Sequence, residues 1–214
     1  MKEIALYGGT FSPPHNGHLL AATEMFRSLD PWMMFIIPAA LPPHKQLGKE
    51  DNPLHRFEMT RLAFADHPEY GHRLKVSDYE IQKEGTSYTW QTLEHFASLY
   101  PANEGYRLNF LCGTDMFLTL ANWKHPEIIF SLARILLFRR ENHPELAAQI
   151  AEREEFYRRT WAGNCLVLDG TPLELSSTEI RQKLVNHSPD TAKLLPPAVL
   201  NYIHSNHLYE TGIS

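Results

Sequence analysis

The chain has 214 residues, 43% hydrophobic and 21% charged, with 20 Lys and Arg against 25 Asp and Glu for a formal net charge of −5. That length suits one domain with a sizeable core, and the acidic balance argues against a sequence-independent grip on DNA or RNA. Two cysteines, Cys112 and Cys165, are too few for a disulfide framework, and the longest apolar runs, interrupted by Pro38 and Arg134, are too short to span a membrane.

In chain order, Met1-Lys2-Glu3 leads straight into an apolar run at 4–7 that reads as a strand. No signal peptide is expected, so a cytoplasmic location is. A helix is predicted over 17–29, a strand over 33–37 and a long irregular stretch over 39–52. The next helix, 53–66, takes Leu54, Phe57, Met59, Leu62 and Phe64 as its apolar face. Residues 73–79 read as extended, and 88–100 as a helix with Ser87 as a plausible cap. A strand follows over 107–112, ending at Cys112, which reads as a buried thiol. Then come a short helix at 126–132, a strand at 134–138, a charged helix at 144–160 and a strand at 165–168. Helices over 177–186 and 196–206 complete the chain. This alternation predicts an α/β fold of the Rossmann-like, doubly wound kind, a mainly parallel sheet with helices on both faces. It is read as a single domain, 1–214, with C-terminal helices at about 176–209 packed on it. Ligands in such folds sit at the carboxyl ends of the strands.

The first such end carries Gly8-Gly9-Thr10-Phe11-Ser12-Pro13-Pro14-His15-Asn16-Gly17-His18. Strand, glycine turn, helix start is an arrangement for a phosphate, because backbone N–H groups and the helix N-terminus favour negative charge. Two imidazoles three residues apart suit chemistry at that phosphate. Neither G-x-x-x-x-G-K-[ST] nor G-x-G-x-x-G is present. After the second strand, prolines precede His44 and Lys45. A lysine there supplies a mobile charge for phosphates, although alone it reads as a solvated loop residue. Gly113 and Asp115 end another strand, and Asp115 suits either sugar hydroxyls or a helix cap. Trp123 offers a flat ring for a heteroaromatic group, or a core side chain. Tyr88 and Thr89 begin a helix whose amides suit a carboxylate. Ser176 and Glu179 have capping-box spacing. Ser176, Ser177 and Thr178 with Arg181 bring three hydroxyls, free amides and a guanidinium to one helix start, which is a phosphate site. The other histidines are scattered, and no zinc-ligand spacing stands out, so no protein-held metal is expected.

The eleven-residue string resembles the signature of the nucleotidyltransferase superfamily with HxGH motifs. Over essentially the whole length, the chain is similar to the bacterial nicotinate-nucleotide adenylyltransferase family. The resemblance is carried by that string, Pro42-Pro43-His44-Lys45, Arg56 with Met59, Ser87-Tyr88-Thr89 with Thr92-Leu93, and Gly113-x-Asp115. Trp123, Arg139-Arg140, the Ser176 to Arg181 segment, Asn201-Tyr202-Ile203 and Leu208-Tyr209 complete it. The resemblance implies adenylyl transfer from ATP, with Mg²⁺, to nicotinate mononucleotide, giving deamido-NAD and pyrophosphate. It implies His15, His18, Lys45 and Arg181 as the catalytic group on the triphosphate. Gly8, Gly9, Thr10, Phe11, Gly113, Asp115, Ser176, Ser177 and Thr178 surround ATP. His44, Lys45, Tyr88, Thr89, Trp123, Lys124 and Arg139 face the mononucleotide. The chain departs from the family at Ser12, usually Asp, and around Trp123, in Asn122-Trp123-Lys124. Competing readings are another HxGH enzyme, acting on nicotinamide mononucleotide or pantetheine phosphate, and a non-catalytic nucleotide sensor. Pantetheine-phosphate adenylyltransferases and cytidylyltransferases typically run shorter and lack the Pro-Pro-His-Lys and Ser-Tyr-Thr elements. The sequence leaves the choice between nicotinate and nicotinamide mononucleotide open, and intact His15, His18 and Arg181 oppose the sensor.

Overall fold

Buried residues alternate along the strands and send side chains to two separate cores. The computed structural model describes residues 1–41, 52–65, 69–83, 85–139, 144–168 and 175–210. The first half contains β1 (Lys2–Gly9), α1 (Asn16–Leu29), β2 (Met33–Pro38), α2 (Pro53–Phe64), β3 (Leu74–Val76), α3 (Tyr79–Gln82) and α4 (Thr89–Leu99). The second contains β4 (Tyr106–Gly113), α5 (Thr114–Thr119), α6 (Pro126–Leu132), β5 (Ala133–Phe138), α7 (Pro144–Trp161) and β6 (Cys165–Leu168). It ends with α8 (Ser177–Val185), α9 (Thr191–Leu194) and α10 (Pro197–Ser205).

The six strands are parallel, in the order β3-β2-β1-β4-β5-β6. The chain reverses its direction of travel between β1 and β4, and a crevice for a ligand opens at such a point. In register, Leu6 lies opposite Phe35 on one side and Phe110 on the other. Ala5, Tyr7, Met34, Ile36, Leu111, Leu136 and Phe138 face α1, α2, α8 and α10. Ile4, Leu6, Phe35, Ile37, Phe110, Cys112, Ile135 and Leu137 face α4 to α7. Each fully buried side chain of this kind stabilises by about 1.5–3 kcal/mol. Period two with both faces covered produces the near-continuous apolar runs seen in the sequence.

The predicted α/β architecture is therefore present, with local corrections. Only Leu74–Val76 of the extended 73–79 stretch is strand, because three residues pair with β2 before the chain turns into α3. The short helices α3, α5 and α9 span four to six residues and carry too little periodicity to be read. The buried face of α2 is Arg56, Met59, Thr60, Ala63 and Phe64, whereas Leu54 is 65% exposed. Helical spacing from Met59 to Ala63 fixes that face, and it rotates Leu54 outward. The cap of α4 is Tyr88, and the hydroxyl of Ser87 is used elsewhere.

Candidate active site

Parallel strands bring their carboxyl ends to one edge. Gly8 and Gly9 (β1), Pro38 (β2), Gly113 (β4) and, one residue past β5, Arg139 therefore share it. The loop after β1 begins with Gly9. A Cβ there would lie 2.8 Å from Phe11 Cζ, so glycine admits the Phe11 ring. Phe11 itself holds φ +51° and is 1% exposed. Such a conformation costs about 1–3 kcal/mol in a bulky residue, and burial of the ring offsets it. The ring packs edge-on against Tyr7 and, at 4.9 Å between centroids, against His18. Phe11 thus supports a histidine, and its ring is closed off from solvent.

His15 caps α1 in an extended conformation, and both His15 and His18 are buried. The N–H of His15 donates to Nδ1 of His18 at 3.1 Å. In the neutral ring this leaves the proton on Nε2, a donor. Between them, a Cβ on Gly17 would stand 3.1 Å from Cε1 and Nδ1 of His15. The glycine of H-x-G-H is what lets the first imidazole lie back over the helix start.

The second motif docks on this loop. Ser176 caps α8 through Glu179 N–H, and Glu179 returns the bond to Ser176 N–H. Ser177 Oγ donates to Pro13 O at 3.1 Å, and Arg181 Nη1 to Ser12 O at 2.7 Å. Arg181 Nη2 reaches Thr178 Oγ1 at 3.2 Å, while its buried Nε has no partner among the described residues. Ser12 is itself buried, and its hydroxyl pairs with Tyr209 OH at 3.1 Å. Asn16 Nδ2 also ties the start of α1 to Lys193 O, in α9. The start of α8 is therefore bonded to the loop that leads into His15 and His18, through pairs 164 and 169 residues apart in sequence.

Of the other expected site residues, Tyr88, Thr89, Trp123 and Lys124 form a second group. Lys124 Nζ lies 4.8 Å from the ring of Tyr88, the cap of α4, and this joins the Tyr88-Thr89 start to the turn at Trp123. Trp123 is half-buried against the α4–α7 core, and its backbone N–H donates to Leu120 O. Asp115 is exposed in the first turn of α5, whose cap is Gly113. Arg139 is half-buried. His44, Lys45 and Arg140 lie outside the described residues.

Sequence reasoning gave no role to a buried polar cluster beside these groups. Arg56 is 0% exposed and donates to Thr10 O, Ala39 O and Ala40 O. Its helical spacing with Met59 and Thr60 was the available signal. Glu80 is also buried, accepts from Thr92 Oγ1 at 2.6 Å, and has its pKa raised, chiefly by burial. Hydrogen bonds from Thr92 and Ser87 and the charges of Lys83 and Arg56 oppose that rise. Burial also pushes up both cysteine thiols, Cys165 to about 12. Neither is poised as a thiolate nucleophile. Among the described residues, no three His, Cys, Asp or Glu side chains gather as a metal cage. No helix among them is long and apolar enough to cross a membrane.

Residues 6–183 match the family model described as Cytidylyltransferase-like. A curated relative from Geotalea daltonii, named probable nicotinate-nucleotide adenylyltransferase, is 36% identical over 98% of this chain and 99% of its own. One of the same name from Clostridium acetobutylicum is 33% identical over 98% and 100%. Among solved structures, the Plasmodium falciparum nicotinic acid mononucleotide adenylyltransferase complexed with NaAD superposes with a TM-score of 0.76. It is 18% identical and covers all of both chains, a likeness of fold.

Proposed function

This chain belongs to the nicotinate-nucleotide adenylyltransferase family, within the cytidylyltransferase-like nucleotidyltransferases, and from that premise we propose that it adenylylates nicotinate mononucleotide with ATP. The observation that carries the reading is the docking of α8 on the H-x-G-H loop, which sets Arg181, Ser177 and Thr178 beside His15 and His18. Two donor imidazoles, a guanidinium and a helix start at one strand end are suited to a triphosphate.

In the proposed reaction, an oxygen of the mononucleotide 5′-phosphate attacks the α-phosphorus of ATP. The bond from that phosphorus to the α,β-bridging oxygen breaks, and pyrophosphate leaves. No protein side chain is covalently modified, so catalysis rests on alignment and charge stabilisation. His18 Nε2–H and His15 donate to α- and β-phosphate oxygens. Arg181, Lys45 and the Ser176–Thr178 helix start neutralise the leaving pyrophosphate. Gly8, Gly9, Thr10, Gly113 and Asp115 bound the adenosine side. Trp123 stacks on the pyridine ring, with Tyr88, Thr89, Lys124, His44 and Arg139 around the rest of the mononucleotide. Magnesium enters as part of the ATP substrate, held by phosphate oxygens and water. We place the reaction in the cytoplasm, in keeping with two free cysteines.

Pyrophosphate release from ATP, measured with a panel of acceptor phosphates, tests the reading. Nicotinate mononucleotide should be the best acceptor, ahead of nicotinamide mononucleotide and pantetheine phosphate. Faster turnover with either of the others would reassign the substrate.

A further inference from the structure

A guanidinium with no exposure must spend its N–H groups on good acceptors, because an unpaired buried charge is costly. Arg56 meets that demand in an unusual way: the three acceptors named above are backbone carbonyls from two different site loops. Nη1 serves Thr10 O at 2.9 Å and also Ala39 O, while Nη2 serves Ala40 O at 2.8 Å. Thr10 follows β1 and belongs to the H-x-G-H loop. Ala39 and Ala40 follow β2. One planar fork therefore spans the carboxyl ends of two adjacent strands, and a rigid fork fixes a distance that a flexible ammonium would not.

The chain of contacts continues. Ala40 N–H donates to Ser87 Oγ at 3.2 Å, and Ser87 N–H to Leu41 O at 3.0 Å. Beside Ser87, buried Glu80 holds Thr92 of α4. Ser87 directly precedes Tyr88 and Thr89. A continuous buried polar path thus runs from the donor-nucleotide loop, through Arg56 and the end of β2, to the segment assigned to the acceptor.

We propose that Arg56 is a positioning residue: it sets the spacing between the ATP loop and the acceptor-binding Ser87–Thr89 segment, and touches neither substrate. This inference rests on the two-substrate reading above. It makes a specific demand, since a change of spacing affects the ternary complex and spares each binary one. Displacement by about 1 Å at a reacting centre costs on the order of 10²-fold in rate.

The test is Arg56→Lys, which keeps the charge and loses the fork. Turnover is measured at a temperature well below the variant's own Tm and expressed per folded molecule. Binding of ATP alone and of nicotinate mononucleotide alone is measured by calorimetry. We expect kcat to fall by about 10- to 100-fold, with each Kd within about threefold of wild type. A kcat within threefold of wild type, whatever happens to Tm, overturns the proposal and leaves Arg56 a fold residue. So does a loss confined to the affinity for one substrate. If Arg56→Lys does not fold, Ser87→Ala decides. It breaks the same relay on the acceptor side, so kcat should fall at least threefold with the Kd for each substrate alone within about threefold of wild type. An unchanged kcat, or a loss confined to one substrate's Kd, overturns the proposal. Should wild type prefer another acceptor phosphate, the substrate reading fails, and the same variants are judged on the acceptor it uses. Turnover with no acceptor at all overturns both.

Discussion

The backbone N–H of His15 donates to Nδ1 of His18 across 3.1 Å, and the two imidazoles stack with centroids 3.7 Å apart at 30°. The bond uses one nitrogen of His18 for the helix start and leaves the other as a donor. His18 is thus divided between structure and chemistry, and the two halves can be separated.

His18→Asn does so. The amide reaches the Nδ1 position and can still accept from His15 N–H, but nothing stands where Nε2 was. Tm should stay within a few degrees of wild type while kcat falls by roughly 10²-fold or more, as for other preorganised donors. Kd for ATP should change much less. Near-normal turnover would remove Nε2 from the mechanism.

Gly17→Ala should separate stability from activity in the opposite sense. Alanine is favoured over glycine in a helix by about 0.5–1 kcal/mol, so α1 gains. The added Cβ, however, meets the His15 ring at 3.1 Å and Leu175 Cβ at 3.5 Å. The ring must shift by a few tenths of an ångström, and phosphate alignment shifts with it. The expected pair of results is an equal or higher Tm with kcat reduced about tenfold, a modest share of what misalignment can cost. Full activity would show that His15 need not lie where the structure puts it.

Strands β1, β2, β4, β5 and β6 were legible because burial on both faces writes uninterrupted apolar runs, and the H-x-G-H loop and the Ser176–Arg181 helix start were legible as motifs because each is local in sequence. What was not legible depends on contacts between distant residues. Nothing near Ser12 announces Tyr209, and nothing near Arg56 announces the Thr10 and Ala39 carbonyls. The face of α2 was misread for the same reason. Leu54 is apolar but exposed, while Arg56 is charged but buried, because its fork is satisfied by loops that hydropathy cannot see. Ser87 looked like a helix cap, since serine before a helix usually is one. Its hydroxyl instead accepts from Ala40 N–H.

Glu80 makes a pH prediction. Its folded pKa lies above the usual 4.5, with burial the largest cause. Below the usual value the carboxyl is protonated in both states and contributes no pH dependence. As pH rises through the window between the usual and the raised value, the unfolded chain releases a proton that the native state still holds. Unfolding is then favoured, so this group's contribution to stability falls with pH and levels off above the raised value. Glu80→Gln keeps an acceptor for Thr92 and removes the titration. The difference in Tm, variant minus wild type, should therefore climb as pH is taken from about 4.5 to 8. A difference that is flat or declines across that range would mean the carboxyl is not held up by burial.

Trp123 carries the last prediction. Its ring is half-buried against the α4–α7 core, and its neighbour Lys124 covers Tyr88 at the start of α4. A ring so placed can both pack and stack, and truncation removes both. Trp123→Ala should raise KM for nicotinate mononucleotide several-fold, since lost stacking is worth on the order of 1 kcal/mol, and it should lower Tm through lost burial. Trp123→Phe separates the two effects, because a smaller ring refills most of the core contact with less stacking area. Its Tm should return most of the way to wild type while KM for the mononucleotide stays raised. KM for ATP should hold in both variants, because the H-x-G-H loop and Arg181 belong to a separate cluster of contacts. The ratio between acid and amide mononucleotides should also largely persist. If discrimination comes from backbone N–H groups near Thr89 and Lys124, an amide leaves a donor unpaired at a cost of ~1–3 kcal/mol, and that cost does not depend on the indole. Loss of ATP affinity in Trp123→Phe would place the ring on the adenosine side and reverse the assignment of the two substrate positions.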